Sequence, residues 1–269
     1  MQGMELIRHR RSVRTFDGRA LAAEDAADIL AFAGTVENPC GIPVAWKLLS
    51  AKADRLSSPV IAGADTFIAG KIKRLPRAEE AFGYAFERVV LHAEAKGIGT
   101  TWIAGTMDRP AFERAMALEA DEVMPCVSPL GYPADRMSLR ETLMRKGVRA
   151  DSRFGFHELF FSGDFRTPLT PENAGPFRDA LEMVRWAPSA VNKQPWRAVV
   201  SGSEVHFYEK HSKGYVDARG WDLQKIDLGI AMCHFAYGME QAGQTVSWTV
   251  SDPGLGTERD VEYVATGRV

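Results

Sequence analysis

A weak internal repeat constrains this chain more than any other feature of its sequence. Phe82, Phe86, Val89, Val90 and Ala93 lie on one helical face that ends at Gly97, and the β-prone run Ile98-Gly99-Thr100-Thr101-Trp102-Ile103-Ala104-Gly105 follows. Ile226, Ile230, Cys233 and Tyr237 form a second such face, which ends at Gly243 and leads into Gln244-Thr245-Val246-Ser247-Trp248-Thr249-Val250. The pairs Gly83/Gly229, Gly97/Gly243 and Trp102/Trp248 share one offset of 146 residues. A glycine that stops a helix before a β-branched run is physically sensible in both copies. Upstream, Trp46-Lys47-Leu48-Leu49 and Trp196-Arg197-Ala198-Val199-Val200 each follow a proline-containing loop, at an offset of 150. Phe16-Asp17-Gly18-Arg19 and Phe165-Arg166-Thr167-Pro168 open the two copies.

The repeat predicts two related halves, 1–150 and 151–269, each running helix, strand, helix, strand, with the break near 147–155. The alternative is one continuous α/β domain whose helices share only generic amphipathicity. Either way the fold expected is α+β, with mixed sheets flanked by helices. With 269 residues, 45% hydrophobic and 25% charged, the chain is that of a folded protein rather than a disordered or fibrous one.

A net charge of −2 argues against a general nucleic-acid or acidic-membrane partner. No window approaches the roughly 18 apolar residues of a membrane span, and a cytoplasmic location is expected. Cys40, Cys126 and Cys233 are odd in number and lack CxxC spacing, which predicts core thiols rather than disulfides or a zinc site. The six histidines show no metal-ligand spacing, and Gly97-Ile98-Gly99 lacks the third glycine of a dinucleotide fingerprint and sits at a helix exit.

Three segments can carry chemistry. Arg8-His9-Arg10-Arg11-Ser12-Val13-Arg14 is the densest positive run, and Arg10, Arg11, Ser12 and Arg14 supply guanidinium forks and a hydroxyl suited to a phosphate. A solvated basic helix end or a local nucleic-acid patch reads the same residues equally well. Ala187-Pro188-Ser189-Ala190-Val191-Asn192-Lys193-Gln194-Pro195-Trp196 is a proline-bounded polar loop, suited to a cofactor edge or simply to a capped turn. Ile103-Ala104-Gly105 ends a strand at a glycine, where a flat ring can approach the backbone or the chain can merely turn.

Together these motifs resemble the FMN-dependent nitroreductase family: Arg-x-Ser-x-Arg, Pro-Ser-x-x-Asn-x-Gln-Pro-Trp and Gly-x-Gly-Thr-Thr-Trp-Ile-x-Gly. The order departs from ordinary members, in which the Pro-Ser loop follows the arginine motif by about 30 residues. Here it lies in the second half, as in the smaller nitroreductase-like group whose single chain mimics the usual homodimer. The resemblance implies an internal pseudo-dimer, possible as a monomer, with one FMN bound by Arg10, Arg11, Ser12, Arg14, Ile103, Ala104, Gly105, Pro188, Ser189, Ala190, Asn192 and Gln194. It adds Arg153, before Glu158-Leu159, as a further phosphate ligand.

The resemblance further implies NADH or NADPH as electron donor, a small-molecule acceptor such as a nitroaromatic or quinone, ping-pong transfer through flavin N5, and no catalytic side chain or metal. The reciprocal site is expected to be empty, because Glu37-Asn38-Pro39-Cys40-Gly41-Ile42-Pro43 and His157-Glu158-Leu159-Phe160-Phe161 stand where the loop and the arginine motif would be. Ala104 replaces a glutamate frequent in ordinary members. The competing expectation is a flavin-binding or interaction protein without turnover.

Overall fold

The computed structural model describes residues 1–217 and 220–269. Its described helices are α1 (Gly3–His9), α2 (Ala23–Thr35), α3 (Ala78–Ala95), α4 (Arg109–Ala115), α5 (Leu139–Gly147), α6 (Phe156–Leu159), α7 (Arg178–Trp186) and α8 (Leu223–Gln241). The strands are β1 (Val44–Ser50), β2 (Thr66–Lys73), β3 (Glu122–Val123), β4 (Val127–Leu130), β5 (Phe160–Ser162), β6 (Trp196–Ser201), β7 (Glu204–Lys210), β8 (Ser247–Thr249) and β9 (Val261–Arg268).

The two helical faces of the repeat become α3 and α8, which begin a turn earlier than their apolar faces suggest and pack against each other at the centre. Their contact is set by absent side chains. A Cβ at Gly83 would overlap the carbonyl oxygen of Ile226, and one at Gly229 would overlap that of Glu80. The two glycines are 146 residues apart, and so are the two residues whose carbonyls they meet, Glu80 and Ile226. Glycine weakens a helix interior by about 1 kcal/mol against alanine, so its use here follows from the close backbone approach.

Each central helix is flanked by a sheet of the same plan. In the first sheet, β1 and β2 pair antiparallel from Val44↔Ile72 to Ser50↔Thr66, and β4, from beyond α3, pairs with the other edge of β2. In the second, β6 and β7 form a tight antiparallel hairpin, and β9, from beyond α8, pairs with β7. Parallel β5 and antiparallel β8 complete the order β5-β6-β7-β9-β8. This is the expected α+β class. A continuous core runs from Leu6 and Ile7 through both central helices to Ala265, and a smaller cluster forms around Phe67, Phe112 and Ile103.

One expected strand, 98–105, is broken. Gly99 bridges Gly131 and Ile103 bridges Val127, but the Thr101 N–H donates to Ser128 Oγ at 3.0 Å, which interrupts the ladder. The expected match of Phe16-Asp17-Gly18-Arg19 with Phe165-Arg166-Thr167-Pro168 is shifted by two residues: the like turns begin at Asp17 and Asp164, each of which accepts a hydrogen bond from the backbone N–H two residues on, at 2.9 Å. The three cysteines are unpaired, with Cys126 and Cys233 buried. No described helix is long and apolar enough to cross a membrane.

Candidate active site

The N-terminal basic run leaves α1 and lies against the broken strand. Ser12 pairs in parallel with Thr100, and the Val13 N–H donates to the Thr100 carbonyl at 2.8 Å. Val13 is buried, so the alternation of an extended segment turns Ser12 and Arg14 away from it. Both line a cleft of about 660 Å³, counting its open mouth, whose other walls come from Trp102 and Ala104, from the Pro188–Val191 loop, and from Leu223, Ile226, Asp227 and Ile230 on α8. Early cationic segment and late proline-bounded loop thus face one space.

The loop is strained and braced. Val191, Asn192 and Gln194 have φ of 44°, 59° and 51°, conformations that cost non-glycine residues on the order of 1–3 kcal/mol each and persist only where surroundings enforce them. Asn192 Nδ2 donates to the carbonyls of Arg149 and Ser152 at 2.8 and 3.0 Å. Gln194 Oε1 accepts from the Phe154 N–H at 3.0 Å, while the Gln194 N–H donates to Ser189 Oγ at 2.9 Å. Both Asp227 carboxylate oxygens lie 3.1 Å from the donating Ala190 N–H. The loop's polar groups mostly hold the loop, leaving Pro188, Ser189 and Ala190 as its face toward the cleft.

Positive charge gathers on one side. The Arg14 guanidinium and the Ser12 hydroxyl make no hydrogen bond among the described residues; burial lowers the Arg14 pKa, Glu141 opposes that shift and Arg145 adds to it. Burial and the neighbouring charge of Arg10 bring Arg153 down to about 10. The charge of Arg145 lowers the pKa of both Arg14 and Arg153. The Nε atoms of Arg10 and Arg153 are buried without a hydrogen-bond partner. Arg14 and Arg153 have no ion-pair partner among the described residues and favour an anion, because a buried cation needs a counter-charge.

Behind this patch lies a buried network joining the two central helices. Glu87 of α3 is fully buried; its Oε2 accepts from Trp102 Nε1 at 2.9 Å and its Oε1 lies 2.8 Å from His234 Nε2 of α8. His234 Nδ1 lies 3.0 Å from the Met183 carbonyl, so both ring nitrogens face acceptors. Arg10 Nε stands 3.9 Å from Glu87 Oε1. One carboxylate therefore fixes a cleft wall, Trp102, and steadies Arg10 beside the cationic patch.

The structure brings Ser12, Arg14, Ala104, Pro188, Ser189 and Ala190 to the cleft. Arg10 and Arg153 are not among the residues that line it: Arg10 faces Glu87, and Arg153 donates to the Trp186 carbonyl and lies over the Trp186 ring at 5.0 Å. Arg11 is turned to the buried Glu141 at 3.2 Å, and Asn192 and Gln194 to the 149–154 segment. Ile103 points into the smaller core cluster. Gly105 is exposed, and neither its N–H nor that of Ala104 has a partner among the described residues; Arg109 holds the Ala104 carbonyl at 2.7 Å. Sequence reading missed Asp227, whose carboxyl burial pushes well above the ordinary range, and its neighbours Leu223, Ile226 and Ile230. Their spacing gave no signal, because α8 is buried on nearly all sides and no one face of it stands out.

A family model described as "Putative TM nitroreductase" matches residues 3–239. No curated protein matches the chain. A putative nitroreductase from Thermotoga maritima MSB8 is similar in structure over 100% of this chain and 94% of its own, at 21% identity and TM-score 0.66. A nitroreductase family protein from Clostridium novyi NT, at 18% identity and TM-score 0.44, aligns with 50% of this chain and 87% of its own. A putative nitroreductase from Desulfovibrio desulfuricans, in complex with FMN, aligns with 52% of this chain and 93% of its own, at 20% identity and TM-score 0.41.

Proposed function

The chain belongs to the putative TM nitroreductase family, and from that premise we propose that it is an FMN-dependent oxidoreductase that takes electrons from NADH or NADPH and reduces a nitroaromatic, a quinone or a similar small acceptor. The observation that carries this reading is the cleft shared by Ser12, Arg14 and the Pro188–Ala190 loop, in which the Ser12 hydroxyl and the Arg14 guanidinium have no hydrogen-bond partner among the described residues. Those residues fit a riboflavin phosphate: cations and a free hydroxyl for the phosphate, and an apolar slot for a flat ring between Trp102, Ala104 and the Ile226–Ile230 face of α8.

Bound FMN would supply the redox chemistry. Arg14, Arg10 and Ser12 would hold its phosphate, with Arg153 as a further charge. The unpartnered N–H groups of Ala104 and Gly105 would offer donors at the ring edge. Asp227, whose carboxyl is pushed up by burial, accepts from the Ala190 N–H and keeps the loop against the cleft. Both walls come from one chain, so two related halves would act as an internal pseudo-dimer and a monomer would suffice.

The test is a flavin titration followed by anaerobic addition of NADH or NADPH. The expected result is one FMN per chain, bleached by the nicotinamide and restored by a quinone or nitroaromatic. Protein that binds no flavin, or stays yellow with either nicotinamide, overturns the proposal; the second result would leave a flavin binder without turnover. Arg14→Ala is expected to weaken FMN binding by roughly 10- to 100-fold, the loss of one charged phosphate contact of about 1.5–3 kcal/mol, read by fluorescence titration of the apoprotein. Asn38→Ala should leave FMN content unchanged. Its amide closes its own loop, donating to the Ile42 carbonyl at 2.7 Å and accepting from the Cys40 N–H at 3.2 Å, away from the cleft residues.

A further inference from the structure

A second cluster, outside the cleft, lies where the end of β7 meets the start of α8. One ligand-type atom each from Glu209, His211 and Asp222 falls within 4.8 Å of the others. Glu209 is 0% exposed, and neither of its carboxylate oxygens has a hydrogen-bond partner. A buried carboxylate that accepts no hydrogen bond has its desolvation only partly offset, here by the neighbouring His211 and Lys225. His211 and Asp222 also line a solvent-accessible cavity, so the cluster has an entry path. Glu80 lines the same cavity, is nearly buried, and keeps its Oε2 without a partner.

The orientation of His211 is the decisive detail. Its Nε2 lies 2.9 Å from Glu262 Oε2 and donates to it. Its Nδ1 then faces Glu209 Oε1 at 2.8 Å, in an alignment that is not a hydrogen bond. In a neutral ring that donates through Nε2, Nδ1 carries a lone pair, and a lone pair set against a carboxylate oxygen is repulsive unless a cation lies between them. A carboxylate on the outer nitrogen of a histidine, fixing its tautomer and raising its basicity, is the usual support of a metal-bound imidazole. One nitrogen and two carboxylate oxygens, with a cavity supplying open positions, suit a divalent transition cation better than Mg²⁺, which prefers oxygen ligands alone.

The geometry points to a divalent transition-metal site formed by Glu209, His211 and Asp222, with Glu262 supporting the histidine and Zn²⁺ as the natural probe. Asp222 can serve while capping α8, since only its Oδ1 accepts from the Gln224 N–H, at 2.8 Å, and Oδ2 is left for the cation. The site stands independently of flavin binding.

The experiment is a calorimetric titration of chelator-treated full-length protein with Zn²⁺ alone, repeated with Co²⁺ to read its visible absorption and with Mg²⁺ as competitor. The expected result is one equivalent of Zn²⁺ bound with micromolar or tighter affinity, a Co²⁺ spectrum containing a nitrogen donor, and no displacement by millimolar Mg²⁺. His211→Ala, at a half-exposed position, and Glu209→Gln should each weaken Zn²⁺ at least tenfold, and Glu262→Gln by about tenfold. Absence of stoichiometric Zn²⁺ binding, or binding that survives both His211→Ala and Glu209→Gln, overturns the assignment. The first of those results would mean that a proton alone bridges His211 and Glu209.

Discussion

Gly83→Ala and Gly229→Ala are each expected to lower stability by about 2–3 kcal/mol, although alanine is the better helix former. The intrinsic gain of placing alanine in a helix interior is about 1 kcal/mol. Against it stands a methyl group directed at a backbone carbonyl of the facing helix, Ile226 in one case and Glu80 in the other. A flexible side chain could turn aside; a carbonyl within a helix moves only with its helix. Overpacking of this kind costs 1–3 kcal/mol and more where backbone must shift, so the steric term prevails. Thermal unfolding followed by circular dichroism should show Tm lower by about 5–10 °C. Gly34→Ala is the control. It lies in α2 with open space at its Cβ position, and should be stabilising by a few tenths to 1 kcal/mol. Equal Tm values for Gly83→Ala and Gly34→Ala would mean that the close crossing is misplaced.

Glu87→Ala should be costlier still, about 3–5 kcal/mol, because it strands three buried partners at once: His234, the Trp102 indole N–H and the Arg10 guanidinium. Glu87→Gln keeps an acceptor for one partner but removes the charge, and should fall between the wild type and alanine. Unlike Arg14→Ala, whose effect is on FMN binding, both Glu87 variants should lose stability and FMN binding together, since Trp102 lines the cleft and Arg10 borders the cationic patch. Urea unfolding of the apoprotein together with flavin titration separates the two patterns. A Glu87→Ala protein of wild-type stability would remove the network from any structural role.

Much of this architecture was legible beforehand, for definite reasons. Gly83 and Gly229 stand out as landmarks of the repeat by their common offset, but that each meets a carbonyl of the facing helix is a tertiary relation seen only in the structure. Ser12 and Arg14 on one side and Pro188 to Ala190 on the other were recognisable by residue type, since few other side chains suit a phosphate or a rigid turn. The α8 wall of the cleft was not. That helix is buried on nearly all sides, so its apolar pattern has no preferred face and cannot reveal which residues border a ligand space. Asp227 was hidden in the same way. The break in residues 98–105 depends on Ser128, a side chain distant in sequence that takes the Thr101 N–H from the ladder. Asn192 and Gln194 were identified by the right loop, but their amides turn to 149–154, a tertiary relation that no local spacing encodes.

The mutual contact between α3 and α8 has a genetic corollary. In an assembly of identical subunits every mutation is duplicated, so an interface can change only symmetrically. Here the two equivalent glycines, Gly83 and Gly229, are encoded at separate codons, as are the two residues whose carbonyls they meet, Glu80 and Ile226. Substitutions can therefore accumulate on one side of the crossing alone, and the two helices are free to diverge while their contact is kept.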